Sequence, residues 1–232
     1  MNKKINHLAC IMDGNRRWAK KRGLFAWLGH REGMEAVRTV VNFCLEKNIN
    51  YLSLYAFSLE NFKRPSIEKK YLFNYLAEQA EEEVPLFIKK GVRVRFVGDR
   101  NYFPDSLRSV CARVEKETSN GKNLLLNLLF CYGAQQELVA GIKGLVKDVK
   151  AGKLSEEDIT EERINDYLWM GAIPAPDLII RTGGMQRLSN FLLYQSAYSE
   201  LCFFECMWPD LSKDHLEKAI SSFEGSKRNF GV

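Results

Sequence analysis

The strongest constraint on the fold is a series of short apolar runs, several of them without any polar alternation. Residues 8–12, 50–57, 92–97, 124–130 and 178–180 read as strands, and 201–204 as a sixth. A strand with one wet face alternates, so a bare run implies cover on both faces of the sheet. The segments between the runs carry helical periodicity, at residues 32–47, 66–90, 104–118 and 135–150. Strand–helix alternation predicts an α/β fold with a central, mostly parallel six-stranded sheet flanked by helices. No repeat or Pro/Gly/Ser linker divides the 232 residues, so a single domain over 1–232 is expected.

The remaining composition mainly excludes. No run reaches the roughly 18 apolar residues of a spanning helix. The apolar run after residues 1–6 is cut short by Asp13, a poor leader pattern. A cytoplasmic protein is expected, one that serves a membrane only from its inner face. Six cysteines contain no C-x-x-C pair and read as buried, reduced thiols. Three histidines, His7, His30 and His215, are too scattered for a histidine metal site. The net charge of +5 suits anionic ligands, but no nucleic-acid motif accompanies it, so nucleic acid is not expected as a partner. P-loop, dinucleotide and G-x-S-x-G signatures are absent.

In doubly wound sheets ligands bind beyond the carboxyl ends of the strands. The segments just after the strands are therefore the informative ones. Asp13-Gly14-Asn15-Arg16-Arg17-Trp18 follows the first, Ser58-Leu59-Glu60-Asn61-Phe62-Lys63-Arg64-Pro65 the second and Arg181-Thr182-Gly183-Gly184 the fifth. At the first turn, glycine permits close backbone approach and a helix start favours phosphate. Asp13 has two readings there. It caps the helix, or it holds a Mg²⁺ that bridges to phosphate oxygens. At the fifth strand, Arg181 and Arg187 can clamp a diphosphate, with Ser189 at the start of another helix. Residues 58–65 could form a lid over a site or a plain connection. The apolar stripe of 66–90, with 124–130, could line a lipid tunnel or simply form core.

Several long motifs then occur in a fixed order. They are I-M-D-G-N-x-R-W at residues 11–18, Gly29-His30, L-Y-A-F-S-x-E-N-x-x-R-P at 54–65, D-L-I-I-R-T-G-G-x-x-R-L-S-N-F-L-L-Y-Q at 177–195 and Trp208-Pro209-Asp210. With these motifs the chain resembles bacterial undecaprenyl diphosphate synthases, members of the cis-prenyltransferase (isoprenyl transferase) family. The resemblance implies a Mg²⁺-dependent homodimer with an apolar substrate tunnel. Isopentenyl diphosphate would be condensed repeatedly onto an allylic prenyl diphosphate, with farnesyl diphosphate as the starter. The product would be undecaprenyl diphosphate, the lipid-carrier precursor for cell-wall polysaccharide, delivered to the membrane.

By the same resemblance, Asp13 is the essential Mg²⁺ ligand and Glu200 a second metal-site carboxylate. Gly14, Asn15 and Arg17 form the allylic diphosphate cradle with His30 close by, and Trp18 contacts substrate. Ser58, Leu59, Glu60, Asn61, Phe62 and Arg64 lie on a substrate loop, with Asn61 the proton acceptor. Arg181, Arg187, Leu188 and Ser189 match the isopentenyl diphosphate site. The chain departs from the family pattern at Arg16, where glycine is common, and at Ala26, where an arginine is usual. Phe62 replaces a tryptophan, and Met185-Gln186 replaces Glu-His. Arg16 is expected to supply the cation missing at Ala26. A non-catalytic partner subunit of the same fold is the rival reading.

Overall fold

A computed structural model describes residues 4–226; the segments 1–3 and 227–232 of the expected domain lie outside the described residues. Six strands form one sheet: β1 (His7–Ile11), β2 (Tyr51–Ser58), β3 (Val92–Val97), β4 (Leu124–Tyr132), β5 (Leu178–Arg181) and β6 (Glu200–Phe203). Their order is β3-β4-β2-β1-β5-β6, and every pairing is parallel. The expected mostly parallel sheet is thus wholly parallel among the described residues.

The helices are α1 (Asn15–Lys21), α2 (Leu28–Lys47), α3 (Ser66–Lys90), α4 (Asp105–Glu117), α5 (Ala134–Lys150), α6 (Glu161–Tyr167) and α7 (Lys213–Gly225). β1 shows why the strands read as bare apolar runs. Leu8 and Cys10 enter one hydrophobic core, with residues of α2, α3, α4 and α7. Ala9 and Ile11 enter the other, with Ala134 of α5, Met170 and Phe191. Both faces are covered, so polar alternation has no place.

One sequence expectation is corrected here. No helix begins near Ser189; residues 182–199 connect β5 to β6 as turns. Ser189, Asn190 and Leu192 have φ of 52°, 65° and 45°, and left-handed backbone at three of four positions breaks any helical ladder. The thiols follow expectation: Cys10, Cys44, Cys111 and Cys131 are buried, Cys202 and Cys206 half-buried, and all six are free.

Candidate active site

β1, β2 and β5 end side by side, and their ends open into a cavity of about 570 Å³. It is lined by Asp13, Asn15, His30, Ser58, Glu60, Asn61, Arg64, Arg181 and Ser189 from the expected set, with Ile11, Met12, Tyr55, Ala56 and Asn190 beside them.

Asp13 is held by arginines. Arg181 Nη2 donates to its Oδ2 at 2.9 Å, and Arg17 Nη2 lies 3.2 Å from its Oδ1. The cap of α1 is Gly14, and no side chain caps it. The capping reading of Asp13 therefore fails. Its backbone carbonyl does the structural work, accepting from Thr182 Oγ1 (2.7 Å) and from the Trp208 amide (3.0 Å).

The glycines beside this carboxylate hold backbone that other residues rarely adopt. Gly14 has φ 108°, and a Cβ there would also meet the Met207 Cβ at 2.9 Å and its backbone at 3.0 Å. Gly183 has φ 86°, and a Cβ there would displace the Arg17 guanidinium that pairs with Asp13.

Arg181 is buried, 4% exposed, which is affordable only because it is paired. Its Nη1 donates to Ser189 Oγ (2.8 Å) and to the Arg187 carbonyl, fixing the 187–189 turn beneath the pocket. The Arg187 side chain points the other way, to Met185 Sδ at 3.5 Å. Leu188 packs into the second core.

The opposite wall carries a second charge cluster. Glu68, at the start of α3 and 4% exposed, receives Arg16 Nε at 3.3 Å and Arg64 Nη1 at 3.4 Å. Arg64 Nη1 also lies 3.5 Å from His30 Nε2. Burial first, then the Arg64 and Arg16 charges, depress the His30 pKa to about 3. His30 is therefore a neutral imidazole at physiological pH, a hydrogen-bonding group and not a cation.

The first of the comparisons with known proteins is with a family model described as "Putative undecaprenyl diphosphate synthase", which matches residues 11–231. The chain belongs to this family. An isoprenyl transferase of Clostridium perfringens is 44% identical over 99% of this chain and 91% of its own. A ditrans,polycis-undecaprenyl-diphosphate synthase of Xanthomonas axonopodis, (2E,6E)-farnesyl-diphosphate specific, is 42% identical over 97% of this chain and 88% of its own. Among solved structures, lavandulyl diphosphate synthase from Lavandula x intermedia, in complex with dimethylallyl diphosphate, superposes with TM-score 0.95 at 29% identity, covering 99% of each chain. A probable undecaprenyl diphosphate synthase from Campylobacter jejuni gives TM-score 0.82 at 34% identity over the whole of both chains.

Not every residue expected from the family reaches the cavity. Trp18 Nε1 donates to Asp210 Oδ1 at 2.7 Å with the Arg22 guanidinium stacked 3.9 Å over its ring, at the surface. Phe62 turns inward, 5.3 Å from Phe57 and 5.5 Å from Tyr102, and Leu59 packs on the same core. Residues 59–63 form a 3-10 turn, whose period of three puts Leu59 and Phe62 on the core while Glu60 and Asn61 line the cavity.

Glu200 lies apart from the cavity of its own chain. It begins β6 opposite Leu178, whereas Arg181 pairs with Phe203 at the carboxyl end. Three strand residues, about 10 Å, separate its level from that of Arg181. Its carboxylate accepts from Ser226 Oγ. Within this chain, Glu200 and Asp13 are at opposite ends of the sheet.

Sequence reasoning missed three contributors. Tyr55 stacks on Phe191 at 4.8 Å and lines the cavity, its phenol pKa raised by burial. Glu68 orients Arg16 and Arg64 from below. Asn190 Nδ2 donates to Glu60 Oε1 (2.8 Å) and Gln136 Oε1 (3.0 Å), tying the substrate loop to the 187–190 turn. Tyr55 and Asn190 sit inside the long motifs; their position at a strand end or in a left-handed turn was the available signal.

Proposed function

We propose that this chain condenses isopentenyl diphosphate repeatedly onto an allylic prenyl diphosphate, with farnesyl diphosphate as starter and undecaprenyl diphosphate as product. One observation carries the reading: a cavity holding a carboxylate clasped by two guanidiniums shares the wall residues Met12 and Ala56 with apolar cavities beside it. The first feature fits diphosphates and the second a prenyl chain. The apolar cavity of about 80 Å³ is lined by Met34, Val37, Leu76, Phe87, Leu126 and Phe130 among others, and these walls would take the growing prenyl chain.

Among the described residues no three His, Cys, Asp or Glu side chains cluster. A metal at Asp13 would take substrate oxygens as further ligands, which is magnesium's usual pattern of one or two carboxylates plus phosphates and waters. Asp13 fits that role; Mg²⁺ when bound would neutralise charge building on the departing allylic diphosphate. Arg17 and Arg181, already placed at Asp13, supply cations to the same phosphates. Apolar walls exclude water from the allylic cation. Asn61, on the cavity wall, is a neutral amide and a poor base. It orients isopentenyl diphosphate, and a phosphate oxygen takes the proton.

The chain acts as a homodimer. Val139, Ile142 and Val146 leave α5 about half exposed, and Tyr198 and Leu201 do the same near the β6 edge. No helix among the described residues is long and apolar enough to cross a membrane. A cytoplasmic enzyme that hands its product to the inner membrane face, as precursor of the cell-wall lipid carrier, is consistent with this.

A second reading is a single coupling without elongation, favoured by the close superposition on lavandulyl diphosphate synthase. Incubation with farnesyl diphosphate, labelled isopentenyl diphosphate and Mg²⁺, with products resolved by length, separates the two. A long polyprenyl diphosphate is expected. A product one unit longer, or none, would overturn repeated condensation.

A further inference from the structure

Glu83 stands out among the buried charges because it faces apolar space. It is 6% exposed on α3, and it walls both the apolar cavity of about 80 Å³ and a neighbouring space of about 100 Å³ between α2 and α3. Arg38 of α2 closes on it, with Nη2 at 2.6 Å and Nε at 2.7 Å, both to Oε1. Arg38 is held in turn by Glu35 Oε2 at 3.2 Å. Met34, Val37 and Phe87 also border both spaces, so the ion pair lies where one passes into the other.

Only the carboxylate is buried: the Arg38 side chain is 40% exposed and reaches in to Glu83 from the solvent side. A buried charge is a poor stabiliser even when paired, since an apolar residue of equal volume serves as well or better. A carboxylate in the wall of an apolar passage therefore calls for another explanation. Hydrocarbon advancing past it must part the ion pair or pack against it, and both are unfavourable. The backbone at this point is also built to give. Pro85 lies inside α3 and cannot donate to the Glu81 carbonyl, which loosens the turn that carries Glu83.

We propose that the Arg38–Glu83 pair is a clasp that closes the deep end of the apolar passage and sets how far the prenyl chain grows. The clasp joins α2 to α3 across the passage, remote from Asp13 and Arg181. It acts on product length and leaves the chemistry alone. The inference rests on the repeated condensation proposed above.

The test compares products of the wild type, Glu83→Gln, and the double variant Arg38→Ala with Glu83→Ala, using farnesyl and isopentenyl diphosphates with Mg²⁺. The double variant removes both charges, so neither is left buried and unpaired. Glu83→Gln keeps the volume and weakens the bond, and it serves alone if the double variant does not fold by circular dichroism. The double variant should shift the product distribution upward by one or more isopentenyl units, with the rate of the first condensation unchanged. Glu83→Gln should shift it less, in the same direction. Folded variants with the wild-type distribution would overturn the clasp. A wild type that makes no polyprenyl product would instead overturn the reading beneath it.

Discussion

Each oxygen of the Asp13 carboxylate meets a different guanidinium, and one of these, Arg181, is buried. This decides which substitution is informative. Asp13→Ala would leave Arg181 short of a partner and confuse folding with catalysis. Asp13→Asn keeps an acceptor oxygen for Arg181 and removes the charge. Asp13→Asn should therefore fold with little change in melting temperature yet lose about a thousandfold or more in kcat, as expected when charge stabilisation of a leaving group is lost. A folded Asn variant with near-wild-type turnover would sink the assignment. The same scale explains what the sequence could not convey about Asp13. A capping aspartate and one that faces a cavity occupy the same place in a strand-to-helix turn. The capping reading falls because Gly14 is the cap and the carboxylate pairs with Arg17 of α1 and with Arg181 of β5, which is 168 positions away in the chain.

At the scale of elements, the strands were legible because each is covered twice, and α3 because its periodicity runs unbroken from Ser66 to Lys90 despite Pro85. One reading failed, and one residue lies where its sequence position gave no sign, for a common reason. The segment after Arg181 has glycines and arginines suited to a helix start, but its left-handed residues are set by contacts made elsewhere, such as Asn190 with Glu60. Glu200 sits near a strand, but sequence does not say at which end, and the register of β6 on β5 places it at the far one. The sheet also carries a polar joint that no motif announced. His7 of β1 is fully buried, with Nε2 2.8 Å from Ser53 Oγ of β2 and Nδ1 2.6 Å from the Pro174 carbonyl. Desolvation depresses its pKa from 6.5 to about 4. The unfolded chain then binds the proton more readily, so stability is full above pH 6.5 and falls as pH drops toward 4. The shift is worth about 3 kcal/mol across that window. His7→Gln should be less stable at pH 7, yet lose about 3 kcal/mol less than the wild type on acidification, by chemical denaturation. Parallel stability curves would show that His7 does not carry the effect.

For the molecule as a whole, the charged and apolar surfaces are divided by position. The carboxyl ends of the strands carry the charged groups of the cavity, and the space between α2, α3 and the sheet is apolar. The proposed dimer would find an apolar face on α5, where Val139, Ile142 and Val146 fall at helical spacing on one flank and are 51%, 56% and 46% exposed. Full burial of a valine or isoleucine is worth about 1.5–3 kcal/mol, so covering the half now exposed on both copies contributes several kcal/mol before any other contact. That is a meaningful share of what a stable dimer requires. The isolated chain should therefore run at twice its 26.7 kDa in light scattering. Replacing Ile142 and Val146 together by lysine adds charge only where the single chain is open to water. The fold should persist by circular dichroism while the mass falls to that of one chain. A wild type of 26.7 kDa, or a lysine variant that remains double, would place the contact elsewhere or remove it. If the variant becomes monomeric and still elongates, the cavity around Asp13 is complete in one chain, as its lining residues indicate.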